Sequence, residues 1–300
     1  MKHFAFSFHR KKAQAEESNT VKAMDIENKA LKFAIYAILL LLVIIVFTPL
    51  YIVFVLSFKG MDEAFQSNVF AFPESFTYFE NFKFIWEKGN LLRAFKNTLI
   101  LIVTSVVGSI AICSMISYIL GRFEFKCKPI LYVLLMFPVV VPAITTQVAT
   151  FTVIRNLGLY NTLFAGIALY IGSDIMLIYI FLQHIEKIPY ALDESARIDG
   201  ASYFRIYWSI ILPQLKPAIA TAVIIKSLTI YNDLFTPYLY MPKTKLRTVT
   251  TTILSFVSDQ TSNWGVVSAG IVIVMIPTVL MYLFMQKYII SGVTAGAVKS

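Results

Sequence analysis

Two charged side chains, Asp174 and Lys226, lie inside long apolar stretches of this sequence. A charge at the centre of a membrane helix costs about 2.5–3.5 kcal/mol on insertion scales, so each side chain needs a partner or contact with water. The two could pair, although their predicted positions along straight helices differ in depth by about 10 Å at a rise of 1.5 Å per residue. We expect them to line a path for a hydrophilic solute. A structural contact with another subunit is the alternative.

Other polar side chains in or beside the apolar stretches fit the same interpretation. Gln147 follows two threonines in the third stretch, and Asn232 and Asp233 close the fifth. Sugars need hydrogen-bond donors and acceptors that match their hydroxyl groups, often together with stacking aromatic rings, and this chain contains both. Composition alone does not name a sugar. The candidate substrate path therefore consists of Gln147, Asp174, Lys226, Asn232 and Asp233.

The residues that commonly carry catalysis are sparse and scattered. His3 and His9 lie near the N-terminus and His184 lies at the edge of an apolar stretch. The sequence has no HExxH motif, no cysteine cluster and no nucleophile elbow, so it predicts no metal site and no catalytic residue. It also contains no Gly-Lys dipeptide and hence no Walker A loop for nucleotide phosphates. If ATP drives this protein, the ATPase is a separate chain and this chain holds no cofactor.

The elements that must position these side chains are membrane helices. Apolar residues make up 58% of the chain and charged residues 14%, which is far from a soluble composition. The apolar residues form stretches that are long enough to cross a bilayer, which takes roughly 20 residues per helix. We predict an all-α membrane protein with six transmembrane helices in one domain, residues 32–300, after an N-terminal arm, residues 1–31. The predicted spans are 33–58, 94–120, 129–151, 160–184, 210–232 and 265–289.

The distribution of charge predicts the orientation of these helices. The net charge is +9, and its basic residues concentrate in the N-terminal arm, around Arg122, in the segment 185–209 and at the C-terminus. The connections 59–93 and 233–264 carry mixed charges. By the positive-inside rule, both termini and the segment 189–209 are cytoplasmic. We therefore expect a lipid bilayer and no nucleic acid as the partner of this basic chain. We expect no cleaved signal peptide, because the first apolar stretch is too long.

Pairs of prolines predict bends in two spans. Pro138 and Pro142 lie one turn apart in the third span, and Pro213 and Pro217 lie one turn apart at the entry to the fifth. Each proline removes a helix hydrogen bond and bends the axis. The second pair marks the place where a helix along the membrane face should turn into the membrane. For the first pair, a role in opening backbone carbonyls towards a polar path and a simple packing kink are both open.

The segment 189–209 is polar and contains several residues that typically start or end helices. Pro189 suits a helix start, and Asp193 and Glu194 fall near the first turn, where the helix dipole favours carboxylates. Asp193 and Arg197 are spaced to form an i,i+4 pair. Gly200 is placed to end this helix in a left-handed cap.

Ser202 can then cap a second helix. The segment therefore predicts a helix, a bend and a helix on the membrane face, which is a suitable handle for a soluble partner.

Here the sequence resembles a known family. The run Glu194-Ser195-Ala196, three residues, Gly200, nine residues and Ile210-Ile211-Leu212-Pro213 resembles the EAA loop of permease subunits of bacterial ABC importers. Ser195 stands where the family usually has Ala, a change between small residues. Tyr231-Asn232-Asp233 and the C-terminal run Gly292 to Lys299 are similar to the carbohydrate-importing branch, the relatives of the second membrane subunit of the maltose system. The resemblance covers residues 94–300.

The resemblance implies a type I ABC importer permease fold in the bacterial cell membrane and a non-catalytic subunit that imports a carbohydrate, in our interpretation an oligosaccharide. It implies four kinds of partner: a homologous permease, two ATPase subunits that bind ATP, an extracytoplasmic solute-binding protein and the sugar. The loop 189–213 would couple to the ATPases. The implied coupling residues are Asp193, Glu194, Ala196, Asp199, Gly200, Leu212 and Pro213.

Three alternatives remain open from the sequence. The chain could be an ABC permease for another solute, such as an amino acid, a peptide or an ion. It could be a secondary transporter that uses Asp174 and Lys226 for ion coupling, although no internal repeat is visible and the polar loop favours a partner. It could also be a membrane scaffold without transport.

Overall fold

The computed structural model describes residues 29–172, 174–257 and 263–297, and every regular element in these ranges is a helix. The chain divides into two compact units, residues 1–55 and 56–300. In the first unit the described residues form most of helix α1, Lys29–Ser57. Its apolar side chains, for example Phe33, Leu40 and Val46, are exposed. The predicted N-terminal arm lies, up to residue 28, outside the described residues.

The second unit contains the remaining helices, numbered here in chain order. They are α2 Met61–Gln66, α3 Glu80–Lys88, α4 Leu91–Arg122, α5 Lys128–Val140, α6 Ala143–Asn156, α7 Leu163–Ile171, α8 Ile175–Ile185, α9 Tyr190–Ile198, α10 Tyr203–Ile206, a π-helical turn Tyr207–Ile211, α11 Leu212–Gln214, α12 Lys216–Asn232, α13 Phe235–Tyr240, a 3-10 turn Thr244–Leu246, α14 Val249–Val257 and α15 Trp264–Ala297. The helix α14 has nine residues, which are too few to cross a bilayer.

Three described helices are long and apolar enough to cross a membrane without a break: Leu31–Ser57, Leu91–Arg122 and Trp264–Phe284. Three further candidate spans are bent pairs. The axes turn by 108° between α5 and α6, by 43° between α7 and α8, and by 75° between the helix Tyr203–Gln214 and α12. The count is therefore three spans, or up to six if each bent pair crosses as one. The predicted six-span topology stays a prediction.

Two of the three bends lie at the proline pairs. Val141, which precedes Pro142, has extended backbone angles (φ −85°, ψ 120°), as expected because the proline ring disfavours helix at the preceding residue. In the fifth stretch the helix is interrupted at Leu215, between Pro213 and Pro217. The prediction that the chain bends between these prolines is confirmed. The bend between α7 and α8, at Gly172 and Asp174, was not predicted.

Helix α4 is the centre of the second unit and packs against α7, α8 and α12. Its buried serines bond to the neighbouring backbones: Ser109 Oγ donates to Tyr170 O at 3.0 Å, and Ser117 Oγ donates to Ile178 O at 2.8 Å. A Cβ at Gly121 would lie 2.9 Å from Cγ2 of Ile185, so the glycine permits a close approach of α4 to α8. Small residues at helix contacts with serine bonds across them are typical of membrane helix packing.

Aromatic packing holds together the segment between α1 and α4. Phe58 contacts Phe76, Phe79 and Phe82, with ring centroids 5.2–5.8 Å apart. Beside them, the fully buried Lys59 donates from Nζ to Ser67 Oγ at 2.8 Å and to Asn68 O at 3.0 Å. Two bonds from the ammonium group fold the residues after α1 into a compact cap.

Candidate functional site: the loop after α8 and the buried ion pair

The first arm of the loop is α9, and it ends in a Schellman motif. Gly200 has φ +81°, a left-handed conformation that suits glycine. The N–H of Gly200 donates to Arg197 O at 3.0 Å, and that of Ala201 donates to Ala196 O at 2.9 Å, which is the pair of bonds that defines the motif. Asp199 is the last residue before this turn and is exposed. The predicted role of Gly200 as a left-handed cap is confirmed.

The second arm begins at Ser202, whose Oγ accepts the N–H of Arg205 at 3.4 Å. The predicted cap is therefore present. The arm runs through α10 and the π-helical turn, which places Ile206 and Ile211 in the apolar core. Leu212 packs against the same core, whereas Pro213 is exposed. The two arms thus hold the predicted coupling residues on either side of one tight bend.

Helix α9 is bound to the last turn of α4 through Arg122. Its Nη2 lies 3.1 Å from Oδ2 of Asp193 and donates to Ile188 O at 2.8 Å. The guanidinium carbon lies 4.3 Å from the centroid of the Tyr190 ring, and the Tyr190 hydroxyl donates to Gly121 O at 2.7 Å. The end of α4 and the start of α9 are therefore joined by a carboxylate, two carbonyls and a ring face.

These contacts change the expected pairing within α9. Asp193 faces Arg122 of α4 and not Arg197, four residues along its own helix. The Arg197 guanidinium instead lies 5.0 Å from the ring centroid of Tyr203 on the second arm. The buried partner prevails because an exposed i,i+4 pair contributes only about 0.3–0.5 kcal/mol, while a guanidinium that is buried needs a counter-charge.

Burial dominates the electrostatics of this contact. The side chain of Arg122 is 3% exposed and that of Asp193 is 13% exposed. Burial raises the pKa of the Asp193 carboxyl, and the neighbouring Arg122 guanidinium opposes that rise. Arginine stays charged at any relevant pH. The pair is therefore a fixed positive charge with a carboxyl whose ionisation depends on it.

The opposite side of the loop is exposed and mixed in character. Glu194, Arg197 and Asp199 are exposed polar residues. In the same loop, Ile198 is 87% exposed and Trp208 is 61% exposed. Exposed apolar side chains in a segment that also carries exposed charges are typical of a protein-binding surface. Of the predicted coupling residues, Glu194 and Asp199 lie on this surface, Ala196 is half-buried, and Asp193 is turned away from it.

The second predicted site is the pair in the apolar stretches. Lys226 Nζ donates to Oδ2 of Asp174 at 3.0 Å. The other carboxylate oxygen of Asp174 accepts the N–H groups of Met176 at 3.1 Å and Leu177 at 3.4 Å, which caps α8. Cys113 of α4 is buried against the same turn, with Sγ 3.9 Å from Asp174 O.

The expected difference in depth between Asp174 and Lys226 was wrong. That estimate assumed two straight helices, but the fourth stretch is interrupted between α7 and α8, with Asp174 at the break, and the fifth bends at Leu215. Together these breaks allow the two side chains to meet. The carboxylate is thus occupied by one cation and two backbone donors.

The other residues of the candidate path are not gathered around this pair. Asp233 follows α12, where Oδ2 accepts the Tyr170 hydroxyl at 2.9 Å and Oδ1 accepts the N–H of Phe235 at 2.8 Å. Asn232 is exposed, and its amide donates back to Leu228 O at 3.0 Å.

Gln147 is half-buried on α6. Gln147 therefore lies on a different helix from Asn232 and Asp233 at the end of α12, and among the described residues of the candidate path only Asp174 and Lys226 contact each other through their side chains.

Sequence reasoning missed Arg122 as a site residue and assigned it only to the positive-inside pattern. Its signal was its position as the last residue of an apolar stretch, where a long side chain can turn back onto a neighbouring element. Tyr190 and Tyr170 were missed as well, since a tyrosine near a membrane edge has an ordinary interfacial explanation.

Comparisons with known proteins agree with this geometry. The family model described as the inner membrane component of binding-protein-dependent transport systems matches residues 110–294. The chain is 34% identical to the probable starch degradation products transport system permease protein AmyC of Thermoanaerobacterium thermosulfurigenes, over 84% of this chain and 91% of that protein. It is 33% identical to the melibiose/raffinose/stachyose import permease protein MelC of Bacillus subtilis (strain 168), with coverage of 84% and 91%.

A solved structure shares the fold. One chain of a bacterial ABC transporter involved in the import of the acidic polysaccharide alginate superposes with a TM-score of 0.78 at 20% identity. The match covers 88% of this chain and 98% of that chain.

Proposed function

Because this chain belongs to the family of binding-protein-dependent transport system inner membrane components, we propose that it is the permease subunit of an ATP-driven importer for an oligosaccharide. The observation that supports the coupling role is the exposed face of α9, which carries both charged and apolar side chains. The other side of α9 is fixed to α4 by Arg122 and Asp193. The substrate class rests on relatives whose names specify melibiose, raffinose, stachyose and starch degradation products.

The proposed assembly contains four kinds of partner. A homologous permease completes the translocation path, two ATPase subunits bind ATP, and an extracytoplasmic solute-binding protein delivers the sugar. This chain is then a non-catalytic subunit of the bacterial cytoplasmic membrane, with both termini and the loop 189–213 in the cytoplasm. The family description, which specifies an inner membrane component and dependence on a binding protein, supports this assignment.

In the proposed mechanism, Glu194 and its exposed neighbours seat on an ATPase subunit. Closure of the ATPase dimer on ATP draws the loops of the two permeases together and opens the outer face. Such a switch requires that the loop fit the open and the closed ATPase differently, because a ligand shifts an equilibrium only by its differential affinity for the two states. The tight bend at Gly200 keeps the two arms of the loop in one arrangement while this force acts.

The candidate path residues divide into two groups under this proposal. Asp174, Lys226 and Asp233 use their charged groups on partners within the chain, which supports a structural role. Asn232 is exposed and Gln147 is half-buried. We therefore assign contact with sugar hydroxyls to Gln147 and Asn232 ahead of the three charged residues.

The test is to tag this chain, extract it gently from its native membrane and identify what accompanies it. We expect an ATPase, a second permease of similar size and a solute-binding protein. The purified complex is then placed in lipid vesicles, and uptake of raffinose is measured with ATP trapped on the side of the ATPases. Uptake should require ATP and should survive a protonophore. Recovery of the chain alone, while a control importer stays intact, or uptake that a protonophore abolishes, would support an ion-coupled secondary transporter instead.

A further inference from the structure

Both arms of the loop rest on the same end of α4. The first arm is held by Arg122, which contacts Asp193, Ile188 and Tyr190. These contacts lie at the start of α9, on the side away from its exposed face.

The second arm is held by hydroxyl and ring contacts. The Tyr207 hydroxyl lies 2.8 Å from Ser114 Oγ of α4 in a buried hydrogen bond. The Tyr207 ring centroid lies 5.5 Å from that of Tyr118, and the Phe123 centroid lies 5.0 Å from that of Tyr203. Both arms are therefore fixed to α4 independently of the bend between them.

We infer that Arg122 is a positioning residue for energy coupling, which holds α9 against α4 so that the loop and α4 move as one body. The inference rests on the proposed function, since it assigns to one buried side chain the task of carrying force from the ATPase contact into the membrane helices. Arg122 is turned away from the exposed face of α9, so it acts through Asp193 and Tyr190 and not by touching a partner.

The chemistry of the contact requires arginine. One guanidinium reaches a carboxylate, a carbonyl and a ring face at once, whereas an ammonium group is a compact point charge without a planar face. Within the described residues, Arg122 Nε and Nη1 and both carboxylate oxygens of Asp193 are buried without a hydrogen-bond partner, and the ion pair at 3.1 Å is the contact that Asp193 makes with a charge. Each charge therefore depends on the other. A buried pair of this kind is better suited to fixing one arrangement than to adding stability.

The test compares Arg122→Gln, Asp193→Asn and the double variant in the intact complex in lipid vesicles. Three quantities are measured: recovery of the ATPase with the tagged chain, ATP hydrolysis and sugar taken up per ATP hydrolysed. We expect each single variant to retain the ATPase but to lose about tenfold in uptake per ATP, as expected for removal of one member of a coupled pair. The double variant should lose no more than either single variant. Arg122→Lys should recover part of the loss, because the positive charge remains.

The matched control is Glu124→Gln. Glu124 pairs with Lys128 at 2.6 Å near the same end of α4, but the Glu124 side chain is 89% exposed. This variant should leave uptake per ATP unchanged. If Arg122→Gln fails to assemble, uptake per ATP is compared between Arg122→Lys, Asp193→Asn and the wild type instead.

The outcomes separate this inference from the proposed function. If no ATPase accompanies the wild-type chain, the proposed function fails. If the wild-type complex transports and Arg122→Gln has normal uptake per ATP, only the role of Arg122 is refuted. Losses that add up in the double variant also refute it, since the two residues would then act separately.

Discussion

The side chain of Asp174 combines two tasks, capping α8 and neutralising Lys226. This explains how two charges are tolerated inside apolar stretches. It also makes the pair a poor carrier for a transported ion, because the carboxylate is already occupied by a lysine and two backbone N–H groups.

Asp174→Ala should therefore destabilise the protein strongly, because it leaves Lys226 buried without its counter-charge. Removal of one partner of a buried pair costs about 3–5 kcal/mol. The double variant Asp174→Asn with Lys226→Met should recover most of this loss, since no charge remains and Asn can still cap a helix. Thermal unfolding of the detergent-purified protein measures both effects. Equal loss in the single and double variants would show that the pair is not the cause.

Reversing the charge of Glu194 should affect only the binding of a partner protein. It is exposed on α9 and lies outside the apolar core. Glu194→Lys should leave the chain in the membrane but reduce recovery of the ATPase and sugar uptake by at least about tenfold, the scale of a hot-spot residue. The control is Glu186→Lys, an equivalent reversal at another exposed glutamate just after α8. Normal uptake in Glu194→Lys would refute the coupling role of this face.

Asp193 should give the loop a pH-dependent stability. Burial raises the pKa of its carboxyl above the usual value, which is about 3.9 in an unfolded chain. The stabilising effect of the bound proton is therefore fully present below pH about 4 and is lost as pH rises through the raised pKa. Relative to Asp193→Asn, the wild-type melting temperature should fall as pH rises over this range and then level off. A constant difference between the two proteins across acidic pH would contradict the assignment.

At the scale of elements, the bend between α9 and α10 depends on one backbone conformation. A Cβ at Gly200 would meet nothing within 4 Å, so a substitution there strains only the backbone. A non-glycine residue in the left-handed region costs about 1–2 kcal/mol, and a β-branched residue suits that region poorly. Gly200→Val should therefore disturb the loop and reduce recovery of the ATPase and sugar uptake.

Gly158 supplies the matched control for this prediction. It also has a positive φ, +69°, with nothing within 4 Å of a Cβ, but it lies in the connection after α6. Gly158→Val imposes the same kind of strain elsewhere and should leave recovery of the ATPase unchanged. Equal effects from both variants would show that strain in general, and not the shape of this loop, is responsible.

The elements that the sequence predicted well are those with local signals. The Gly200 cap, the Ser202 cap and the bend between Pro213 and Pro217 depend on residues within one or two turns, and all three are present. The prediction that Asp193 pairs with Arg197 was wrong. Its partner, Arg122, is distant along the chain, and no local pattern specifies which buried charge a carboxylate will contact.

At the scale of the whole molecule, the apolar stretches predicted where helices would form and the prolines predicted two of the three bends, but neither predicted the break at Asp174. At the interruption, Asp174 caps α8 and also contacts Lys226, and hydrophobic periodicity indicates neither of these contacts. The serines and Gly121 of α4 were likewise unremarkable in the sequence, yet they permit the close approach of α4 to α7 and α8. Composition identifies a membrane protein, while the small residues of α4 permit its contacts within the second unit.

The contact between Asp174 and Lys226 also has a consequence for how the protein is made. Lys226 follows Asp174 by 52 residues, so at a synthesis rate of about 5–20 residues per second the carboxyl leaves the ribosome roughly 3–10 s before its partner. During these seconds the carboxyl of Asp174 lacks its lysine partner, and a charge at the centre of a membrane helix costs about 2.5–3.5 kcal/mol. The ion pair therefore contributes to stability only after residue 226 has been synthesised.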